Sequence, residues 1–227
     1  MKSVSIVIPC ECTLDQLKRC VRSIRTYTKV PYELILVDRG TDPRFLAFSL
    51  EERLVWIKGG TTGPNLNDGL RIASCDALMI LGGDRMVAKY WMTHMLNTLY
   101  SARNIGIAGP WTSGIGLKTA SVMTYEEFEP VAEANGREYQ GEAAEVKSVQ
   151  SGCFLMKREV WERIGKLKPA SSGLFDAADY CLRSRAAGFR TVMCRDTLVY
   201  NQARCGIDTV SEENGQWTFA GKRRANP

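Results

Sequence analysis

The run Ala77–Leu81 constrains the fold of this chain more than any other segment. Its residues are consecutive, aliphatic and apolar, and the run is too short for a core helix, so it predicts a buried β-strand. Asp84 follows after two glycines, which places a carboxylate just beyond the carboxyl end of that strand. Open α/β sheets bind ligands at that edge. Asp84 is therefore the first candidate functional residue.

Short apolar strands alternate with amphipathic helices along most of the chain. The helix signals include a capping box at Thr13 and Gln16, an N-cap at Asp42 followed by Pro43, and a closing glycine at Gly188. The predicted strands are 4–9, 33–38, 54–57, 77–81, 105–108, 149–156 and 190–193. The alternation predicts a single α/β domain in which helices sandwich a mixed, mainly parallel sheet.

The segment from Thr112 to Lys147 interrupts this alternation. It is rich in small, acidic and glycine residues and shows no clear periodicity. Long irregular segments in compact domains are usually functional or mobile. We expect this one to be irregular and to shape a binding site.

The composition is that of a globular domain. The chain has 227 residues, 44% of them hydrophobic and 24% charged, and no abrupt shift marks a linker. No apolar run approaches the roughly 20 residues of a membrane-spanning helix, and the first residues lead into a strand instead of a signal peptide. We therefore expect a cytoplasmic protein.

The net charge of +5 is spread along the chain apart from the basic run Lys222-Arg223-Arg224. That run suits a phosphate-bearing ligand or peripheral contact with an anionic membrane, and a solvated tail explains it equally well. No basic helix face or aromatic platform appears, so we expect no nucleic-acid partner. The sequence carries no signal for oligomeric state.

The eight cysteines are scattered and form no paired Cys-x-x-Cys framework. Only Cys10 and Cys12 lie close together, and two thiolates leave a zinc site two ligands short. We expect reduced, mostly buried thiols.

Five blocks in order resemble the family 2 glycosyltransferases of the GT-A fold, over roughly residues 3–201. The blocks are VSIVIP at 4–9, YELILVD followed by GTD within 32–42, Asp84 after its strand, SGCFLMKREV at 151–160, and DYCLR with the later GF within 179–189. Each block is weak alone, and their common order makes the resemblance specific.

The resemblance implies inverting transfer of a sugar from a nucleotide-sugar donor, with UDP favoured, to a glycan or glycoconjugate acceptor. It also implies Mn²⁺ or Mg²⁺ as cofactor. The nucleotide-binding part would cover about 1–110, the acceptor-binding part about 111–205, and a C-terminal tail about 206–227.

The resemblance also suggests which residues form the site. Nucleotide contacts are expected from Pro9, Cys10, Glu11, Asp38, Asn67 and Gly83. Metal ligands are expected at Asp84, the last acid of an Asp-x-Asp motif, and at Asn201, where a histidine is common. Sugar contacts are expected at Trp111, Ser151 and Gly152, although burial would also explain Trp111. The catalytic base, which takes the acceptor proton, is expected at Asp176 or Asp179.

Two departures from the family pattern bear on catalysis. Gly82 stands where the first carboxylate of Asp-x-Asp would be, and alanine holds the expected base position between Asp176 and Asp179. Asp176 could equally be an N-cap of the last helix, and Asp179 a cap or first-turn acid.

These departures leave an alternative open, in which the domain has lost catalysis and serves as a nucleotide-sugar or glycan binding module. A sugar nucleotidyltransferase is less favoured, because Cys10-Glu11-Cys12-Thr13 lacks a glycine-rich, arginine-containing phosphate loop.

Overall fold

The strand Val4–Pro9 (β1) lies inside a nine-stranded sheet in the computed structural model of the chain. The structure describes residues 2–38, 40, 42–58, 66–111, 123–170, 174–203, 206–207 and 218–219. The further strands, in chain order, are β2 (Tyr32–Asp38), β3 (Val55–Lys58), β4 (Ala77–Leu81), β5 (Arg85–Val87), β6 (Ile105–Pro110), β7 (Ala143–Glu145), β8 (Cys153–Lys157), β9 (Arg190–Cys194), β10 (Val199–Asn201), β11 (Gly206–Ile207) and β12 (Thr218–Phe219).

The order of strands in the large sheet is β12-β7-β9-β6-β8-β4-β1-β2-β3. Strands β3, β2, β1 and β4 are parallel neighbours, and β6 pairs in parallel with β9. Only β8 and β7 run against the other described strands of this sheet. The predicted mixed, mainly parallel α/β sheet is therefore confirmed.

Helices cover both faces of the sheet. They are α1 (Leu14–Tyr27), α2 (Pro43–Glu51), α3 (Leu66–Ile72), α4 (Trp91–Leu99), α5 (Tyr125–Glu138), α6 (Arg158–Ile164) and α7 (Ala177–Ala186). Alternate residues of β1 point to opposite faces. Ile6 and Ile8 belong to the core cluster that includes residues of α1, α2 and α4, and Val7 belongs to the cluster that includes residues of α3, α5, α6 and α7. Both faces of this strand are buried, which explains why its sequence is apolar apart from Ser5.

The predicted helix ends are confirmed at three places. Thr13 and Gln16 form a reciprocal capping box at the start of α1. Asp42 caps α2 with Pro43 in the first turn. Gly188 follows α7 with φ +88°, a conformation that glycine adopts without a steric penalty.

The prediction of an irregular segment from 112 to 147 was wrong where the structure describes it. Residues 125–138 form α5, which Thr124 and Glu127 begin with a second capping box. The helix buries Phe128, Ala132 and Gly136, which are spaced four residues apart on one face. Residues 112–122 lie outside the described residues.

A small antiparallel sheet of β5, β10 and β11 sits beside the large one. Its register pairs Asn201 with Arg85 and Val199 with Val87. This sheet holds the residues that directly follow Asp84.

Within the described part of the chain, no helix combines the length and the apolar character needed to cross a bilayer. The basic run at 222–224 lies outside the described residues. Each of the seven cysteines that the structure describes is a free thiol, and four of them are buried.

Candidate active site

Four segments meet in a cleft at the carboxyl ends of β1 and β4. These two strands are parallel neighbours, and β8 starts at the same edge because it runs antiparallel to β4, with Cys153 opposite Leu81. The cleft has a volume of about 700 Å³. It is lined by Glu11, Gly82, Asp84, Arg85, Ser148, Val149, Gln150, Ser151, Gly152, Pro169, Ala170, Leu174, Phe175, Asp176, Ala177 and Ala178. Among the predicted site residues it thus brings together Glu11, Asp84, Ser151, Gly152 and Asp176.

The tight turn from Gly82 to Arg85 presents Asp84 to the cleft. The amide of Arg85 donates to the Gly82 carbonyl at 2.9 Å, which closes the turn. The amide of Gly82 donates to the Gly152 carbonyl, also at 2.9 Å, and the amide of Gln202 donates to the Asp84 carbonyl at 2.9 Å. Backbone contacts on both sides therefore fix the position of Asp84.

Steric contacts explain why glycine occupies positions 82 and 83. A Cβ added there would lie 2.7 Å from Asp84 Oδ1, and a Cβ at Gly83 would lie 2.5 Å from Cys12 Sγ. Both distances are below van der Waals contact, so neither position accepts a side chain without movement of its neighbours. An acid at position 82, where the resemblance implies one, would therefore require the Asp84 carboxylate to shift.

Arg85 shares the cleft with Asp84 and was not among the predicted site residues. Its Nη1 donates to Asp84 Oδ2 at 2.6 Å, and its side chain is only 12% exposed, against 27% for Asp84. Gly152 makes room for the guanidinium, because a Cβ there would lie 2.7 Å from Arg85 Nη2. The sequence signal was the basic residue directly after the strand-end acid.

The donor set for a metal ion is small. No group of three or more His, Cys, Asp or Glu side chains that could hold a metal occurs among the described residues. Asn201 is 3% exposed, its Oδ1 accepts from the amide of Ala203 at 2.9 Å, and it does not line the cleft. Asp84 is thus the one predicted metal ligand placed in the cleft, and an ion there would need phosphate oxygens and water for its remaining ligands.

Asp176 lies at the N-terminus of α7 and lines the same cleft as Asp84. It is the N-cap of that helix, and its Oδ1 accepts from the amide of Asp179 at 2.9 Å. Its side chain is half-buried and lines the cleft. The capping role anticipated for this residue is present, and it holds the carboxylate at a fixed point of the cleft wall.

Asp179 is placed differently and does not line the cleft. Its two oxygens bind Lys168 Nζ and Arg183 Nε, each at 2.7 Å. The hydrogen bond from Lys168 lowers the pKa of Asp179 most. Burial raises this pKa, and the contact with Arg183 lowers it again, so that the net shift is downward. A carboxylate that is paired with two cations is a poor proton acceptor, so we assign Asp179 a structural role in place of the catalytic one.

Asp38 is the last residue of β2 and lies at the same edge of the sheet as the cleft, because β2 runs parallel to β1. It is 2% exposed, and its Oδ2 has no hydrogen-bond partner among the described residues. Burial, and then the Asp38 charge, raise the pKa of the nearby Cys10 thiol well above its usual range, so this thiol stays neutral. Buried carboxylate oxygens in native proteins are usually paired with a donor, so Asp38 Oδ2 is a candidate acceptor for a ligand hydroxyl or amide. Pro9 is buried beside it, whereas Glu11 is exposed at the cleft.

Asn67 does not offer its side chain to a ligand. Its Nδ2 donates to the Leu167 carbonyl at 3.1 Å, and its Oδ1 accepts from the Leu167 amide at 2.8 Å. These bonds tie α3 to the loop that leads to Pro169 in the cleft wall. We therefore assign Asn67 a structural role in place of the predicted nucleotide contact.

Trp111, which was predicted to contact the sugar, lies in the core. The residue is 5% exposed and packs in the same cluster as Phe128, and the guanidinium of Arg195 lies 4.8 Å from its ring centroid. A ring covered in this way has no free face on which a sugar could stack. Ser151 and Gly152 do line the cleft, and Ser151 Oγ accepts from the Leu174 amide at 3.2 Å.

Comparison with known families decides the classification. The family described as glycosyltransferase like family 2 matches residues 2–224. The chain belongs to this family. No curated protein matches it.

Three solved structures share the fold, and two of them contain a nucleotide with its sugar and Mn²⁺. A mannosyltransferase from Pyrobaculum calidifontis, PcManGT in complex with GDP-Man and Mn²⁺, is 17% identical with a TM-score of 0.58 and is matched over 83% of this chain and 53% of its own. GalNAc-T7 with UDP, GalNAc and Mn²⁺ is 16% identical with a TM-score of 0.66, over 88% and 44%. S. aureus TarS 1–349 is 13% identical with a TM-score of 0.60, over 86% and 58%. This family 2 chain spans about half the length of these proteins, and at such identities the likeness supports the GT-A fold alone.

Proposed function

We propose that this domain transfers a sugar, with inversion, from a nucleotide-sugar donor to a hydroxyl of a glycan or glycoconjugate acceptor. The observation that carries the proposal is the shared cleft. Asp84 and Asp176 come from segments some ninety residues apart and line the same 700 Å³ space at the ligand-binding edge of the sheet. That volume suits a sugar and its diphosphate.

The nucleoside would lie at the carboxyl ends of β1 and β2. The buried Oδ2 of Asp38 has no donor among the described residues, and a base amide or a ribose hydroxyl would supply one. Glu11, two residues beyond β1, lines the cleft. Because of the family resemblance we propose uridine as the nucleoside of the donor, and guanosine is the alternative nucleoside to be tested against it.

Asp176 is the proposed general base. In a single displacement the acceptor oxygen attacks the anomeric carbon, the bond from that carbon to the phosphate oxygen breaks, and the acceptor proton passes to the Asp176 carboxylate. The nucleoside diphosphate leaves with the bonding electrons, and the anomeric configuration inverts. A positioned base of this kind contributes about 10²–10⁴-fold.

Mn²⁺ or Mg²⁺ fits this site only together with the donor, since Asp84 would be its one acidic protein ligand. When bound, such an ion adds positive charge next to the leaving diphosphate. The acceptor would enter on the side of the cleft that Asp176 lines. This placement keeps the proposed division into a nucleotide-binding part at about 1–110 and an acceptor-binding part at about 111–205.

The test is a panel of UDP- and GDP-sugars, each incubated with the full chain and Mn²⁺ while release of the nucleoside diphosphate is followed, with binding of UDP and GDP measured in parallel. We expect one sugar nucleotide to be hydrolysed slowly without acceptor and faster with glycan acceptors. Inversion is then read from the anomeric proton of the product by NMR. An absence of both nucleotide binding and turnover across the panel would refute the proposal.

A non-catalytic binding module is the second candidate. The observation in its favour is that Asp84, the one acid of the motif, is already neutralised by Arg85 at 2.6 Å. Nucleotide binding without hydrolysis or transfer for any member of the panel would favour it over the enzyme.

A further inference from the structure

The cleft is acidic for a site that would bind a diphosphate. Its charged lining residues are Glu11, Asp84 and Asp176 on the acidic side, and Arg85 is the one basic side chain among the described residues that line it. A donor diphosphate brings further negative charge into this space. Charge repulsion therefore opposes donor binding unless a cation faces the phosphates.

We propose that Arg85 is that cation and binds the diphosphate of the donor directly. The inference rests on the proposed function, because it names the group that holds the donor of that reaction. Arg85 lines the cleft and its side chain is 12% exposed, so its charge is only weakly screened by solvent. An arginine fork also matches two phosphate oxygens at once, a geometry that lysine does not provide.

The neighbouring residues prepare the guanidinium for this contact. Gly152 has no side chain in the space that the Arg85 guanidinium occupies. The backbone hydrogen bonds of the Gly82–Arg85 turn fix the position of the Arg85 Cα. In the nucleotide-free chain Asp84 Oδ2 holds the guanidinium at 2.6 Å. Asp84 is thus a competitor of the diphosphate for Arg85, and a divalent ion that binds Asp84 would release the arginine to the donor.

This arrangement predicts opposite effects for the two partners of one ion pair. Arg85→Gln removes the cation, so it should weaken binding of UDP or GDP in EDTA by roughly ten- to a hundredfold, the usual effect of losing hydrogen bonds to a charged group. Asp84→Asn removes the competitor and a repulsive charge, so it should tighten metal-free binding several-fold. If the ion pair served only to hold the turn together, both variants would weaken binding.

The experiment is calorimetric titration of UDP and GDP into the full chain, in EDTA and again in Mn²⁺. The variants are Arg85→Gln, Arg85→Lys and Asp84→Asn, with Arg137→Gln as the control, because Arg137 is an exposed arginine of α5 whose loss changes the net charge equally. Melting curves verify that each variant folds. We expect Arg85→Lys to bind less tightly than wild type in EDTA, and Mn²⁺ to restore part of the affinity that Arg85→Gln loses.

Two results would overturn the inference. If Arg85→Gln binds the nucleotide as tightly as wild type in EDTA, or if Asp84→Asn weakens metal-free binding as much as Arg85→Gln does, Arg85 does not hold the diphosphate and the proposed function still stands. If wild type binds neither UDP nor GDP with or without Mn²⁺, the inference and the proposed function fail together.

Discussion

The side-chain amide of Asn67 closes a two-point contact with the backbone of Leu167, one hundred residues further along the chain. Both its donor and its acceptor are used, at 3.1 and 2.8 Å. The contact joins α3, which packs on the parallel sheet, to the loop that carries Pro169 and Ala170 into the cleft wall. It therefore supports the site without facing a ligand.

Asn67→Ala should destabilise the fold and leave nucleotide affinity nearly unchanged. The substitution leaves the Leu167 amide and carbonyl without partners, which costs about 1–3 kcal/mol of unfolding free energy. Urea denaturation with UDP titration at low temperature measures both quantities. Asn97→Ala is the control, since Asn97 is an exposed helical asparagine. Unchanged stability together with a large loss of affinity would restore Asn67 as a nucleotide contact.

Gly82→Asp, which rebuilds the first acid of the family motif, should impair the site. The new Cβ would lie 2.7 Å from Asp84 Oδ1, so the Asp84 carboxylate must shift, and a second negative charge enters the cleft. We expect a lower melting temperature and weaker UDP binding in Mn²⁺. Gly82→Ala separates the steric part from the charge. Tighter Mn²⁺ binding with an unchanged melting temperature would show that the turn accepts two carboxylates.

Asp179 should stabilise the chain in a pH-dependent way. Its pKa in the folded state is lowered below the usual value of 3.8, first by the hydrogen bond from Lys168. The stabilisation is therefore complete above pH 3.8 and is lost as pH falls through the folded pKa. Asp179→Asn should melt below wild type at pH 7, and the difference should shrink towards pH 3. A difference that stays constant over this range would rule out the charge as its source.

The sequence was sufficient where structure follows from local signals. The strand Ala77–Leu81 and the cap at Thr13 depend on residues within a few positions of one another, and both agree with the structure. The capping box at Thr124 and Glu127 is equally local. The sequence does not predict α5, because Pro130 and the small residues after it weaken the helical periodicity of its apolar residues.

The site depended on contacts that the sequence does not display. Arg85 enters the cleft because Gly152, sixty-seven residues later, has no side chain there. The sequence does not show which of Asp176 and Asp179 is free to act as the base, because that depends on Lys168, which pairs with Asp179. The sequence around Trp111 does not show whether its ring is buried in the core or stacks on a sugar. Such distinctions are made by tertiary packing.

The most direct test of the account compares Asp176→Asn with Asp179→Asn in sugar transfer, once the donor panel has supplied a substrate. Asparagine still caps a helix, so Asp176→Asn should fold and bind UDP like wild type while the rate of transfer falls by about 10²–10⁴-fold. Asp179→Asn should transfer at nearly the wild-type rate at a temperature well below its melting point. Transfer that survives Asp176→Asn and is lost in a folded Asp179→Asn would contradict the account and move the base out of the cleft described above.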